Sequence, residues 1–284
     1  MTLRIGDDID AATIDLEAGG RLSSLVLGGR ERLLLEPCQA DVLPSLAWGC
    51  FLMAPFVGRL SGGRVSWQGS ETQVPCNHGA HAIHGLAFDI PWQATSVSPN
   101  ALVITAELDS TRWPYRGTLA QRIAIARGKL LLEAEIRAEE AMPAALGWHP
   151  WFRRDGEVRV GLAAEQVLTV GRDTIPTGGV EQVSGETDLR DAPFVDGRTL
   201  DHVYSPVRSP AFLTWPDLEL QMAFEPPVQS VVVFVHPQAV CVEPMTAWPD
   251  AIRLEQAGAI GTGLATLQAG ERLAASTTWT WQPR

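Results

Sequence analysis

The sequence predicts an all-β fold, a large antiparallel β-sandwich occupying one domain over residues 1–284. Three observations carry this expectation. The chain holds 26 glycines and 20 prolines, spread throughout, which disfavours long helices and suits many short strands joined by turns. Period-two alternation of side-chain character recurs, as in strands with two different faces. No stretch shows four turns of helix-period patterning with clear caps.

Taken in order, residues 101–108 alternate as a strand. Residues 129–137 do so too, with Leu130, Leu132, Ala134 and Ile136 on one face and Leu131, Glu133, Glu135 and Arg137 on the other. Residues 218–224 repeat the pattern. Residues 231–235 form a continuous β-branched and aromatic run, expected of a strand buried on both faces. Residues 155–160 and 199–205 are expected to hold short helical turns. No low-complexity tract, linker or fixed-period repeat divides the chain.

Hydrophobic residues make up 45% and charged residues 19%, enough apolar material for a sizeable core. The net charge of −11 argues against nucleic acid and against an anionic membrane surface as partners. A neutral small molecule fits better. Cys38, Cys50, Cys76 and Cys241 are too scattered for a metal knuckle or a disulfide scaffold, and are expected as free thiols. The start of the chain has no apolar signal region, and no run approaches the roughly 20 apolar residues of a membrane helix. A cytoplasmic location is the default expectation.

Four segments carry chemistry. His78, His81 and His84 recur at intervals of three, but Gly79 and Gly85 break any helix there. In an extended chain His78 and His84 share a face and His81 points away, which spoils a three-histidine metal site. A loop with one functional histidine is the expectation. In Gly147-Trp148-His149-Pro150-Trp151-Phe152, Pro150 confines His149 to extended backbone, and the flanking tryptophans can hold its ring. Glu243 sits in an apolar stretch before Pro244, where a carboxylate is either at a strand end or buried with a partner. Arg59 and Arg64 lie in a Gly-rich turn whose donor forks suit anions or hydroxyls. No Walker A, dinucleotide-binding or Gly-x-Ser-x-Gly pattern occurs.

In this order these segments resemble the aldose 1-epimerase (galactose mutarotase-like) family. The resemblance runs from about residue 15 to the end of the chain. Residues 54–60 are similar to its Pro-Phe-x-Asn-Arg-Ile element and residues 62–69 to the hairpin that follows. Ile83-His84-Gly85, Gly147 to Phe152, Ile175-Pro176-Thr177-Gly178, Leu200-Asp201 and Glu243-Pro244-Met245-Thr246 resemble its later motifs. The resemblance implies a large sandwich of the galactose mutarotase type and a sugar substrate, with no cofactor and no metal. It implies Glu243 as base, His149 as acid and His84 in support. Arg59 and Asp201 hold hydroxyls, and Trp148 or Trp151 stacks on the sugar. Reference pKa values near 4.3 for Glu and 6.5 for His suit these roles at neutral pH. Gly58 stands where the family pattern has Asn, so one sugar-contacting amide is missing. A monomer or homodimer is expected.

Three rival readings follow from the same residues. A hexose-6-phosphate mutarotase would use basic groups at the pocket edge, with Arg112 and Arg116 as candidates. A sugar-binding protein without catalysis would share the fold. A retaining glycosidase would pair Asp201 with Glu243.

Overall fold

The computed structural model describes residues 1–39, 43–108 and 111–284. Among these residues one sheet has twelve strands and a second has eight. The central path of the larger sheet runs through Thr2–Gly6, Ala11–Asp15, Arg21–Leu27, Cys50–Met53, Gly147–Pro150, Ala239–Met245, Ser230–Val235, Asp201–Tyr204, Gln166–Val170 and Pro176–Gln182. The smaller sheet runs through Gln93–Ser98, Ala101–Glu107, Gly117–Ala126, Lys129–Ala138, Arg272–Pro283, Leu218–Phe224, Val207–Thr214 and Arg159–Ala164. The pairings along both paths are antiparallel, as in the hairpin of Gly117–Ala126 with Lys129–Ala138.

The strands read from the alternating segments form as Ala101–Glu107, Lys129–Ala138 and Leu218–Phe224. In the second of these Leu130, Leu132, Ala134 and Ile136 are buried, the face that the alternation picks out. The two expected helical turns do not form. Residues 201–204 are a strand paired with Ser230–Val235, because a β-branched and aromatic pair, Val203 and Tyr204, fits the pleat of an existing sheet. Residues 155–160 are bends leading into the strand Arg159–Ala164, with Gly156 at φ +85° turning the chain away from a helix. Among the described residues the one α-helix, Ala251–Gln256, is six residues long.

Alternation along the larger sheet sorts its side chains into two clusters. Leu52, Trp148, Val231, Val233 and Val242 point into the sandwich and meet Leu119, Ile123, Leu130, Leu132, Leu220 and Trp279 from the smaller sheet. Phe51, Met53, Trp151, Val203, Val232, Cys241 and Met245 point the other way and form a second cluster. The larger sheet is therefore buried on both faces along its middle strands, as the run at 231–235 predicts. Its second face is covered by loops instead of a sheet, and there a cavity opens. The thiols are free: Cys50 and Cys241 are buried, Cys38 is partly buried and Cys76 is exposed. Among the described residues no helix is long and apolar enough to cross a membrane.

Candidate active site

The cavity has a volume of about 750 Å³ and lies on the loop-covered face of the larger sheet. Its floor follows from strand register. Val203, Val232 and Glu243 are directly opposite one another across three adjacent strands, and so are Asp201, Phe234 and Cys241. Residues directly opposite in an antiparallel sheet share a face. One strand further on, His149 is paired with Phe51. A carboxylate, an imidazole and an apolar floor thus converge from strands far apart in sequence.

Glu243 is buried within its strand, and its partner is His149. Their Oε1 and Nε2 atoms are 3.3 Å apart, with side chains 3% and 6% exposed. The imidazole of His149 lies between two parallel rings, Phe51 at 4.8 Å and 25° and Trp151 at 5.3 Å and 15°. His84 meets it edge-on at 4.8 Å and 89°. His84 takes a left-handed backbone, φ +62°, unusual for a residue with a side chain. It is fixed by two neighbours: its N–H donates to the Gly58 carbonyl, and the next residue, Gly85, bridges Ala54. At Gly85, φ +74°, an added Cβ would lie 2.0 Å from the Ala54 carbonyl oxygen, so glycine is obligatory there.

Burial sets the charge state of this trio. It pushes the Glu243 carboxyl well above its usual range, with Asp201 adding to the effect and Arg59 opposing it. It lowers His149 to about 3, and the positive charge of Arg21 adds to this against the ring's own backbone carbonyl. His84 is likewise held well below its ordinary value by burial, then by His149, Arg59 and His78. Reference pKa values therefore do not describe these groups. Burial thus favours the neutral form of each of the three groups in the unliganded pocket, and Glu243 and His149 lie close enough to pass a proton between them. The pair also touches directly. Direct contact suits a reaction in which both proton sites are oxygens on one carbon.

One donor atom from each of His84, His149 and Glu243 lies within 4.8 Å of the others, with ligand types found in zinc sites. Tetrahedral zinc holds donors about 2.0–2.2 Å from the metal, hence under roughly 3.7 Å from each other. A spread of up to 4.8 Å is wider, and the trio would have to draw together to bind zinc.

The remaining expected residues divide. Arg59 and Asp201 line the cavity and pair at 3.4 Å. Trp151 lines it too, but with 2% of its surface exposed it serves chiefly as the ring stacked on His149. Trp148 does not reach the cavity. It is one residue out of phase with His149 and points into the sandwich core, where it is 2% exposed. A sugar-stacking role for Trp148 is thereby corrected, and Phe51 replaces it as the second ring around His149. Gly58 sits at φ +57°, a conformation favoured by Gly and tolerated by Asn. A Cβ there would lie 2.5 Å from Pro249 Cγ, so backbone and packing account for the missing side chain.

His78 and His81 do not lie on one extended strand. They close a tight turn through reciprocal backbone hydrogen bonds, 3.0 Å each. His78 lines the cavity, while His81 accepts from the Gly62 N–H and faces Asp173. Phe234 and His236 form an aromatic wall that sequence reasoning missed. Both ring nitrogens of His236 are engaged: Nδ1 accepts from the Gln238 N–H, so Nε2–H donates to the Gln39 carbonyl. Period-two alternation within 231–235 could have flagged Phe234, had the pairing with Asp201 been known. Arg112 and Arg116 lie outside the cavity lining and pair with Asp89 and Glu140.

Two packed antiparallel sheets with this loop-covered site define the class of galactose mutarotase-like sandwiches. The chain belongs to the aldose 1-epimerase family, whose model matches residues 2–280. It is 26% identical to the uncharacterized protein YphB of Escherichia coli (strain K12) over 214 residues, 71% of this chain and 74% of that one. It is 25% identical to the uncharacterized protein YihR of the same organism over 261 residues, 86% of this chain and 83% of that one. Among solved structures, a provisionally named aldose 1-epimerase of Escherichia coli K12 superposes with a TM-score of 0.87 at 21% identity, covering 100% of this chain and 99% of that one. A GalM/aldose epimerase homologue from C. elegans superposes with a TM-score of 0.85 at 15% identity, with 100% and 99% coverage.

Proposed function

We propose that the protein interconverts the α and β anomers of a free, neutral aldose. The observation that carries this reading is the buried contact of Glu243 with His149 at the base of an open cavity. A hemiacetal bears its hydroxyl oxygen and its ring oxygen on the same carbon. Glu243 takes the proton from the C1 hydroxyl as His149 delivers one to the ring oxygen. The bond between C1 and the ring oxygen breaks, and an open-chain aldehyde forms. Rotation about C1–C2 presents the other face, and closure returns both protons.

This requires the proton of the resting pair to stand on His149. A transfer across the 3.3 Å contact reaches that form against the burial that favours both neutral groups, and the Arg59 charge favours the resulting carboxylate. His84, edge-on to His149, donates to the ring oxygen or a neighbouring hydroxyl. Arg59 and Asp201 hold hydroxyls further along the ring, and its C–H face rests on Val232 and Phe234. Positioned acid–base groups of this kind contribute about 10²–10⁴-fold each.

A neutral sugar is favoured over a phosphorylated one. Among the described residues lining the cavity, Arg59 is the one Arg or Lys, and its charge is matched by Asp201. The test is polarimetry on freshly dissolved galactose, glucose, xylose, arabinose and their phosphates. Acceleration of at least one neutral sugar, lost in Glu243→Gln, is the expected result. Calorimetric binding with no acceleration would instead make the protein a sugar binder.

A further inference from the structure

Arg21 is 1% exposed, among the most buried charged side chains of the protein. Buried charges are ordinarily paired, yet among the described residues its side-chain hydrogen bonds all go to backbone carbonyls. Nε donates to Ala18, Nη1 to Trp48, and Nη2 to Ser45 and Phe88. These carbonyls belong to three separate segments around the start of the Cys50–Met53 strand. The guanidinium also lies over the rings of Trp48, at 4.4 Å, and Phe51, at 5.3 Å. Phe51 is the ring stacked on His149 at 4.8 Å. A guanidinium, a phenyl ring, an imidazole and an indole therefore form one column, and its charged end is tied to backbone on three sides.

We infer that Arg21 is a positioning residue for His149, acting through Phe51: it fixes the plane of the imidazole and sets a permanent positive charge behind it. The first effect is mechanical. Tethering three segments holds the Phe51 ring flat against the imidazole, so Nε2 stays aimed at Glu243. The second is electrostatic. A fixed positive charge behind the ring disfavours the imidazolium and makes it a stronger acid once formed, which aids delivery to a weakly basic ring oxygen. Other charged or titratable groups around His149 are Glu243 on the neighbouring strand, His84 edge-on, Arg59 and Asp201 across the cavity, Cys50 and Cys241 on adjoining strands, and His236 beyond Trp151. When ionised, a carboxyl group on that side would favour the imidazolium, and the charge of Arg21 opposes it from the far side.

The mechanical part concerns the proposed reaction, whereas the electrostatic part can be read without any activity. The experiment compares wild type, Arg21→Lys, Arg21→Met and Phe51→Leu. The ¹⁵N shifts of the His149 ring are followed by NMR in the unliganded protein from neutral pH to the acid limit of folding. In Arg21→Met the titration of His149 should move up by about one pH unit, and in Arg21→Lys it should stay near that of wild type. In anomerisation assays Arg21→Met and Phe51→Leu should lower kcat about tenfold or more with KM little changed. If Arg21→Met lowers only the melting temperature, with an unshifted His149 titration, the inference is wrong. Should Arg21→Met not fold, Phe51→Leu decides the mechanical part: an unchanged kcat overturns it. A wild-type protein inactive on every sugar sinks the proposed function but leaves the NMR result to stand or fall alone.

Discussion

Glu243 is buried at a cost, and that cost has a measurable sign. Its folded pKa is raised above the ordinary value of 4.5, so the stability associated with it is full below pH 4.5 and is lost as pH rises through the folded value. Glu243→Gln removes that loss. The variant should melt at a higher temperature than wild type at neutral pH, with the advantage shrinking towards pH 4.5, while anomerisation falls by about 10²–10⁴-fold. Calorimetry and polarimetry on one preparation check both halves. His149 runs the other way. Its folded value of about 3 lies below the ordinary 6.5, so the stability tied to its neutral form is complete above pH 6.5 and is lost as pH falls towards 3. His149→Asn should flatten the fall in melting temperature over that window, and an unchanged slope counts against the buried neutral form. At this scale Glu243, His149, His84, Arg59 and Asp201 were legible because short motifs surround them. The stacking of Arg21 and Phe51 behind His149 was not, since it joins strands distant in sequence.

At the scale of the strand, the segment Gly147–Pro150 shows what alternation decides. His149 and Trp148 are neighbours in sequence but face opposite ways, one into the cavity and one into the sandwich. Two substitutions separate these faces. Trp148→Ala should cost about 3–5 kcal/mol of stability, with KM unchanged in whatever fraction stays folded. Phe234→Ala, on a partly exposed wall of the cavity, should raise KM with a much smaller loss of stability. Chemical denaturation and initial-rate kinetics measure the two, and a raised KM in Trp148→Ala would contradict the face assignment. The strands at 129–138 and 218–224 were legible because one face meets a core and the other meets solvent. Residues 201–204 were not. Their strand exists because Ser230–Val235 is there to pair with them, and local preference alone does not reveal that partner.

Across the whole molecule, the sandwich closes through its last segment. Arg272–Pro283 lies inside the smaller sheet, between Lys129–Ala138 and Leu218–Phe224, and its Trp279 is fully buried. Ending the chain before Arg272 would split the smaller sheet, leave Lys129–Ala138 and Leu218–Phe224 each without a partner along one edge, and expose the sandwich core. Such a truncation should show no cooperative thermal transition by circular dichroism, and a sharp transition would refute the closing role. The two-layer architecture was legible from composition and periodicity, but the strand order was not, because it joins segments as far apart as Lys129 and Thr280.

The split of the larger sheet into two faces has a consequence for how such a protein can change. Odd and even positions along its middle strands answer to different demands, so Val203, Val232 and Phe234 can be exchanged for other residues while Val231, Val233 and Val242 stay as they are. A new ligand preference can thus be written between the lines of a sequence that goes on specifying the same scaffold, and a family sharing one fold at low identity is the natural outcome of that arrangement.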